Sequence, residues 1–244
     1  MSGHPANLPP FVLVHGAFHG GWCWKPVARI LRRAGHEVYT PTQTGLGERR
    51  HLMSLDISME TFVLDVLNLI VSEDLWDVVL VGHSYGGRSV SGVADRIPER
   101  IRRIVFLDSG LSVDGKSRLE GMPEEERERR IQSSMDFDGG VSVPSPSAAR
   151  FGVTDPEQIA YIDRYLTPQP LGAEKTRLPL NNPIGNGLPV TFVHCVAPKF
   201  AAVTAGAAYA KSQATWRYME FQGGHNAIVT HPNEMAQILL AEAH

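Results

Sequence analysis

Ser84 lies in a segment whose residue types suit nucleophilic catalysis. The segment Gly82–Gly87 fits the pattern G-x-S-x-G. In this pattern the glycines let the chain turn sharply between a strand and a helix, so that the serine hydroxyl projects above a sheet. A hydroxyl held in this way attacks a carbonyl carbon when a nearby base takes its proton. We therefore predict that Ser84 is a nucleophile; the alternative is an ordinary glycine turn in which Ser84 caps a helix.

His225 is the histidine whose position best suits that base. It follows Gly223 and Gly224, after an apolar segment with the pattern of a last strand. The two glycines allow the loop to carry the ring over the edge of the sheet toward Ser84. The chain has ten histidines, but only His225 is predicted to follow a final strand on a glycine-flanked loop. Serine before histidine is also the chain order in which this motif performs acyl transfer.

Acyl transfer also needs two backbone N–H groups directed at the oxyanion that forms on the attacked carbonyl. The residue after the nucleophile, here Tyr85, supplies one of them. The other comes from the loop after an earlier strand, and Ala17 is the natural donor in this chain. We predict that His15 supports this loop by hydrogen bonding, the alternative being a catalytic base, and that His83 packs beside the elbow.

These residues stand at the ends of short apolar runs that alternate with helical patterns, which is typical of βαβ units and a parallel sheet. Strands are predicted at Phe11 to Gly16, Glu37 to Thr40, Val78 to Val81, Ile104 to Leu107, Val190 to Val196 and Trp216 to Phe221. Helices are predicted from Trp24 to Arg33, from the cap Ser58 to Ser72, from the elbow to Arg96 and after Pro232. The fold class is therefore α/β, with a mostly parallel, doubly wound sheet.

The segment 109–187 interrupts this alternation. It is too long to connect neighbouring elements, and it has charged and turn residues where a strand is expected. A helix start is predicted at Pro123–Arg130, with acids early and bases late, and this charge run is interpreted as a solvated helix face. Two pairs in it are spaced as helix ion pairs, Glu125 with Arg129 and Glu126 with Arg130. We predict one domain over 1–244, with 109–187 as a helical lid over the sheet.

The composition excludes several classes of protein. Hydrophobic residues make up 43% and charged residues 20% of the 244, which is ordinary for a globular domain with its own core. Lys plus Arg is 23 against 26 for Asp plus Glu, a net charge of −3, so neither nucleic acid nor a membrane is expected as a partner. Cys23 and Cys195 lack metal-ligand spacing. Residues 1–10 show no secretory leader, and a cytoplasmic location is expected.

The sequence resembles the α/β-hydrolase superfamily over residues 11–110 and 189–225. The resemblance is carried by Phe11–Ala17, Gly20–Trp22, Thr42–Arg49, Val79–Gly87, Phe106–Asp108 and Gly224–His225. It is closest to the branch that contains plant methylesterases, hydroxynitrile lyases and bacterial esterase relatives. The resemblance implies the α/β-hydrolase fold and a serine hydrolase that works without a cofactor.

This resemblance leaves the position of the catalytic carboxylate open. Most relatives place it just after the penultimate strand, but residues 193–203 of this chain contain no acid. Glu220 lies within the last strand, whereas Asp108 ends the strand after the elbow helix, which is the alternative station for the acid in this fold. We predict that Asp108 lies within about 3 Å of the ring nitrogen of His225 that faces away from Ser84. The alternative is that Asp108 caps the first turn of the lid.

Two positions separate esterases from cyanohydrin lyases within that branch. Lyases resembling this chain carry threonine where Gly16 stands and lysine where Asn226 stands, and the lysine stabilises the departing cyanide. Gly16 and Asn226 both match the esterases. A serine at position 84 also argues against the dehalogenases and epoxide hydrolases of this fold, because those enzymes use an aspartate nucleophile.

We therefore predict a serine esterase that cleaves a small-molecule carboxylic ester with the triad Ser84, His225 and Asp108, and with no metal or cofactor. Phe18 and Trp22 are expected to line an apolar substrate pocket, the alternative being plain core. Two other functions stay open: a small-ligand-binding protein with little or no turnover, and hydroxynitrile-lyase-like activity. Analogy with the fold permits a homodimer, and nothing in the sequence requires one.

Overall fold

A computed structural model describes residues 8–244 of the chain. The expected lack of a leader concerns residues 1–10, most of which lie outside the described residues. The strands are β1 Phe11–Val14, β2 Val38–Tyr39, β3 Val78–His83, β4 Ile101–Leu107, β5 Ser142–Val143, β6 Gln169–Pro170, β7 Val190–Cys195 and β8 Arg217–Phe221. The helices are α1 Lys25–Arg33, α2 Met59–Ser72, α3 Gly86–Arg96, α4 Glu124–Asp138, α5 Pro156–Asp163, α6 Leu171–Lys175, α7 Thr204–Ser212, α8 Ala227–Thr230 and α9 Pro232–Ala241.

Six strands form one parallel sheet in the order β2-β1-β3-β4-β7-β8. The strand order reverses at β1, which lies between β2 and β3. Ligands of open α/β sheets bind at such a reversal, where the loops leaving the carboxyl ends of the strands diverge. The loops after β1 and β3 contain Ala17 and Ser84, so two of the predicted functional segments lie at this point.

Both faces of the sheet are buried. Along β1, Val12 and Val14 belong to the core shared with α2 and α3, whereas Phe11 and Leu13 belong to the core shared with α1 and α9. This alternation follows from the two-residue period of a strand. A strand covered on both faces is apolar throughout, which explains the uninterrupted apolar runs of the sequence.

Local signals set the ends of the predicted helices. The Ser58 side chain accepts the N–H of Thr61 at 3.3 Å, and the Ser58 N–H donates to Oγ1 of Thr61 at 3.1 Å. This reciprocal capping begins α2 at the predicted residue. After α1, Gly35 has a φ of +96°, a left-handed conformation that glycine adopts without steric cost.

Strand β4 begins three residues earlier than the apolar run predicts. The first three residues of the strand include Arg102 and Arg103, which interrupt the apolar run. Arg102 binds Asp77 at 2.7 Å, and Arg103 binds Glu242 at 2.5 Å. Ion pairs at the end of the sheet thus allow charged residues within a strand that hydrophobicity alone predicts to be shorter.

The segment 109–187 lies between β4 and β7 and contains α4, α5, α6 and the antiparallel pair β5–β6. The predicted charged helix is α4, with Pro123 as its cap. Arg130 does not pair with Glu126 but with Glu174 of α6, whose carboxylate is fully buried. The interpretation of this run as a solvated face is therefore wrong at Arg130, because a buried carboxylate needs a charged partner. Nε of Arg129 donates to the backbone oxygen of Glu125 at 3.4 Å, and among the described residues its guanidinium forms no ion pair with the Glu125 carboxylate.

None of the helices within residues 8–244 combines the length and the apolar character needed to cross a membrane.

Candidate active site

Ser84 occupies a tight turn between β3 and α3. Its φ of +52° lies in the left-handed region, which costs a non-glycine residue about 1–2 kcal/mol. Backbone hydrogen bonds hold the turn: the Ser84 N–H donates to the Leu107 oxygen at 3.1 Å, and the Gly110 N–H donates to the Ser84 oxygen at 3.0 Å. Ser84 is partly exposed, whereas His83 and Tyr85 on either side are buried. The turn therefore presents the serine alone at the carboxyl edge of the sheet.

Glycines bring the neighbouring loop against this turn. A Cβ on Gly86 would lie 2.6 Å from the carbonyl oxygen of His15, and one on Gly16 would lie 2.7 Å from Cβ of Ser84. Both distances are shorter than the contacts that Cβ atoms make with non-bonded heavy atoms in proteins. A larger residue at either position would therefore force the loop or the turn to move. The loop after β1 therefore packs directly against Ser84.

His225 connects Ser84 to a carboxylate. Its Nε2 lies 2.8 Å from Oγ of Ser84, and its Nδ1 lies 2.6 Å from Oδ2 of Asp108. The ring is buried and comes from the loop after β8. The structure thus brings together the three residues that the sequence analysis selected, with Asp108 on the ring nitrogen that faces away from Ser84.

Asp108 is fixed between two strands. It follows β4 and has a φ of +43°. Its N–H donates to the Val193 oxygen at 2.7 Å, and its Oδ1 accepts the N–H of Cys195 at 3.0 Å. The carboxylate therefore reaches from the end of β4 to the end of β7. Within residues 8–244 its partners are Cys195 and His225, and it does not cap the first turn of the segment 109–187.

Burial sets the protonation states of this pair. It lowers the pKa of His225 below its ordinary value, with smaller contributions from His19 and Arg118, so the ring is a neutral base. Burial also raises the pKa of Asp108, and the hydrogen bond from the Cys195 N–H opposes that rise. The Nδ1 proton of a neutral His225 then points to Asp108, and Nε2 is left to accept the hydroxyl proton of Ser84.

Two free N–H groups lie beside Ser84. The backbone N–H groups of Ala17 and Tyr85 donate to no other group within residues 8–244. Ala17 follows Gly16, which contacts Ser84, and Tyr85 is the residue after Ser84. The Tyr85 hydroxyl is engaged elsewhere, since it donates to the Ala173 oxygen at 2.7 Å. The two N–H groups are therefore available to an acceptor that binds at the serine.

His15 and His83 make internal hydrogen bonds. Nε2 of His15 accepts the Gln43 N–H at 3.0 Å, so Nδ1 donates to the Gly16 oxygen at 2.8 Å. Burial lowers the pKa of His15 to about 3, and the ring stays neutral. His83 bonds through Nε2 to the carbonyl oxygen of His225 at 2.8 Å. Both rings therefore support the backbone around the site.

The two predicted pocket residues, Phe18 and Trp22, pack in different surroundings. Phe18 is buried against Phe151, at a centroid distance of 6.4 Å, whereas Trp22 is partly exposed and packs on Tyr165 at 5.3 Å. The sequence analysis missed Phe151 and Phe200, whose rings lie 6.0 and 4.2 Å from that of His225. Neither belongs to a motif, and only their positions in the fold reveal them.

No group of three His, Cys, Asp or Glu residues in the described part of the chain has the arrangement of a metal site. Cys23 and Cys195 are both free and buried.

The alpha/beta hydrolase family matches residues 11–238 of the chain. A carbendazim hydrolyzing esterase from Nocardioides sp. (strain SG-4G) is 37% identical over 241 residues, which cover 95% of this chain and 98% of that protein. Methyl jasmonate esterase 1 of Vitis vinifera is 35% identical over 158 residues, which cover 62% of this chain and 58% of that protein.

Solved structures show the same fold. An extracellular alpha/beta-hydrolase from a Paenibacillus species superposes with a TM-score of 0.82 at 26% identity, covering 96% of this chain and 98% of that one. Methylketone synthase I of tomato superposes with a TM-score of 0.76 at 19% identity, covering 96% and 97% of the two chains. The predicted fold class is therefore confirmed.

Proposed function

Because the chain belongs to the alpha/beta hydrolase family, we propose that it is a serine esterase that cleaves small carboxylic esters through an acyl-enzyme on Ser84. Its relatives confirm the predicted resemblance and the general prediction of an ester hydrolase. The finer proposal is carried by one observation, the hydrogen-bonded chain from Ser84 through His225 to Asp108.

Acylation begins when Oγ of Ser84 attacks the carbonyl carbon of the ester and Nε2 of His225 takes the hydroxyl proton. The carbonyl oxygen becomes an oxyanion that accepts hydrogen bonds from the N–H groups of Ala17 and Tyr85. Asp108 stabilises the imidazolium that forms at His225. The carbon–oxygen bond to the alcohol then breaks, and the alcohol leaves with the proton from Nε2.

Deacylation repeats these steps with water as the nucleophile. His225 takes a proton from water, the hydroxide attacks the acyl carbon, and the same N–H groups bind the second oxyanion. The bond to Oγ breaks, the carboxylic acid leaves, and Ser84 recovers its proton. Every proton transfer uses a group of this chain or of the reactants, so the proposed reaction needs no cofactor.

The substrate is proposed to be small and partly apolar. Phe151 of the segment 109–187 and Phe200 of the loop after β7 pack against the ring of the catalytic histidine, and Phe18 of the loop after β1 packs against Phe151. We assign 109–187 the role of a lid, since the ring of Phe151 from this segment lies 6.0 Å from that of His225. A panel of methyl, ethyl and aryl esters, scored by kcat/KM, tests which substrate is preferred. Carbendazim and methyl jasmonate are included because two relatives are named for their hydrolysis.

Cyanohydrin cleavage is the less favoured function. Asn226 supplies no positive charge for a departing cyanide, and Gly16 leaves no room for a side chain next to Ser84. Mandelonitrile cleavage at a rate comparable with ester hydrolysis would reverse this preference.

A fluorophosphonate probe tests the nucleophile. We expect the probe to label the wild-type protein and Ser91→Ala but not Ser84→Ala. Ser91 is a matched control because it is a buried serine of α3 whose hydroxyl donates to the Gly87 oxygen at 2.8 Å. Labelling of Ser84→Ala would mean that another residue is the nucleophile. An unlabelled wild type with no turnover of p-nitrophenyl acetate would favour a small-ligand-binding protein instead.

A further inference from the structure

The backbone of Phe18, the residue after Ala17, is held on both sides by the segment 109–187. The Phe18 N–H donates to Oε1 of Gln169 at 3.0 Å, and its carbonyl oxygen accepts the N–H of Thr167 at 2.9 Å. Gln169 stands 151 residues away along the chain. These bonds therefore join the loop after β1 to β6 and its approach.

Phe18 adopts a backbone conformation that needs such support. Its φ of +67° is left-handed, which is sterically unfavourable for a residue with a Cβ. Its ring is buried against Leu119 and Phe151, and the guanidinium carbon of Arg130 lies 5.5 Å from the ring centroid. A strained conformation persists only where its surroundings determine it. Here those surroundings come from the segment 109–187.

The side-chain amide of Gln169 has a single orientation at this position. Only Oε1 can accept the Phe18 N–H, so Nε2 is directed elsewhere. Nε2 is buried and has no hydrogen-bond partner within residues 8–244, and the whole side chain is buried. An apolar side chain of the same length would fill the space without an unpaired donor. Packing alone therefore does not explain a glutamine, whereas the bond to Phe18 does.

The peptide that this bond fixes is the one between Ala17 and Phe18. Rotation of that peptide turns Ala17, whose own N–H is free and lies in the loop packed against Ser84. A displacement of about 1 Å in a group that binds the transition state costs about a hundredfold in rate. The alignment of the Ala17 N–H is therefore sensitive to the contact between Gln169 and Phe18.

We propose that Gln169 is a positioning residue for the oxyanion: by accepting the Phe18 N–H, it keeps the Ala17 N–H aligned with the intermediate formed at Ser84. This inference rests on the proposed esterase function. Gln169 acts through Phe18 and Ala17 and contacts no reacting atom. The oxyanion develops only as the transition state is approached, so Gln169 contributes to kcat and little to ester binding.

The variant Gln169→Met tests the proposal, since methionine has a similar length and accepts no comparable hydrogen bond. We expect kcat for p-nitrophenyl acetate to fall about 10- to 100-fold, which is part of the loss measured when an oxyanion donor is removed altogether. KM is expected to stay within about twofold. The affinity for phenylboronic acid, which forms a tetrahedral adduct with a serine, is expected to fall in proportion to kcat. Rates are normalised to active sites titrated with a fluorophosphonate.

Thr176→Val is the matched control. Thr176 also links the segment 109–187 to the body of the protein, because its Oγ1 accepts the Met59 N–H at 2.7 Å. This bond lies at the start of α2 and not at the loop after β1. We expect kcat and boronate affinity per active site to match the wild type. An equal loss of kcat in Thr176→Val would overturn the proposal, because any loosening of the segment would then suffice.

Two other results would also overturn it: an unchanged kcat in Gln169→Met, or a raised KM with an unchanged kcat, which would indicate a substrate contact. If the methionine variant does not fold, Gln169→Asn replaces it, because the asparagine amide is one methylene too short to reach the Phe18 N–H. The same result is expected of this variant: a lower kcat with a KM within about twofold of the wild type. A wild-type protein that the fluorophosphonate does not label contradicts the proposed function itself. A labelled wild type with an unaffected Gln169 variant contradicts only this inference.

Discussion

Asp108 reaches the histidine from the end of β4 and not from the penultimate strand, β7. The chain from Val193 to Val203 has no acid, but β4 and β7 are paired, and the ends of the two strands therefore lie side by side. The carboxylate crosses this short distance, accepts the Cys195 N–H and contacts His225. The end of β4 thus places a carboxylate beside the first residues after β7.

The role of the charge at this residue is tested by Asp108→Asn. We expect kcat to fall about a thousandfold or more, because an amide neither stabilises the imidazolium nor keeps the proton on Nδ1 of His225. Circular dichroism is expected to show an intact fold, since the side-chain shape is kept. Glu220→Gln is the control: this exposed carboxylate pairs with Lys211, and kcat is expected to be unchanged. Near-normal turnover by Asp108→Asn would leave a Ser84–His225 dyad.

The pH dependence of the reaction follows from the burial of His225 and Asp108. Burial lowers the pKa of this histidine below the ordinary 6.5, and a general base works only in its neutral form. Protonation of His225 alone therefore lowers kcat/KM only below pH 6.5. Burial raises the pKa of Asp108 to about 7, and a protonated Asp108 no longer stabilises the imidazolium, so kcat/KM is expected to begin to decline near pH 7 as pH falls. Initial rates between pH 4 and 8 give the profile. A constant kcat/KM from pH 8 down to pH 6 would contradict this dependence on an ionised Asp108.

At the scale of elements, the sequence predicts the parts of the site that local signals specify. A strand followed by G-x-S-x-G and a helix defines the turn at Ser84, and two glycines after a last strand define the loop at His225. The contacts of Gln169 with Phe18 and of Glu174 with Arg130 were not predictable in this way. These contacts depend on the path of an irregular segment, and the spacing of apolar residues in the sequence does not predict such a path.

The close approach of α3 to β1 gives a prediction at this scale. A Cβ on Gly86 would lie 2.6 Å from the His15 oxygen and 2.8 Å from the Val14 oxygen, both backbone atoms of the chain leaving β1. We expect Gly86→Ala to lower the free energy of unfolding in urea by about 1–3 kcal/mol. The displaced elbow is also expected to lower kcat at least about tenfold. At Gly110 a Cβ would have no neighbour within 4 Å, so wild-type behaviour is expected of Gly110→Ala, and equal effects in both variants would refute this reasoning.

At the scale of the whole molecule, the two edges of the sheet serve different purposes. Ser84, Asp108 and His225 lie at the carboxyl edge. At the amino edge, Glu242, just after α9, binds residues of three strands. The Glu242 carboxylate is buried and accepts hydrogen bonds from Arg103 at 2.5 Å, Thr191 at 2.8 Å and Arg217 at 2.6 Å. Its partners belong to the first half of β4, β7 and β8.

This separation predicts that stability and activity respond independently to a change at Glu242. Removing a buried carboxylate leaves its partners unpaired, but Arg103 and Arg217 keep part of their hydration because they are 25% and 57% exposed. We therefore expect Glu242→Ala to lower the free energy of unfolding by about 2–3 kcal/mol. Glu242→Gln, which keeps an acceptor of the same length, is expected to lose less. The kcat per titrated active site is expected to equal that of the wild type in both variants, because no atom of the site contacts this edge. A fall in kcat that follows the loss of stability would mean that the amino edge also holds the strand ends that position Ser84 and His225.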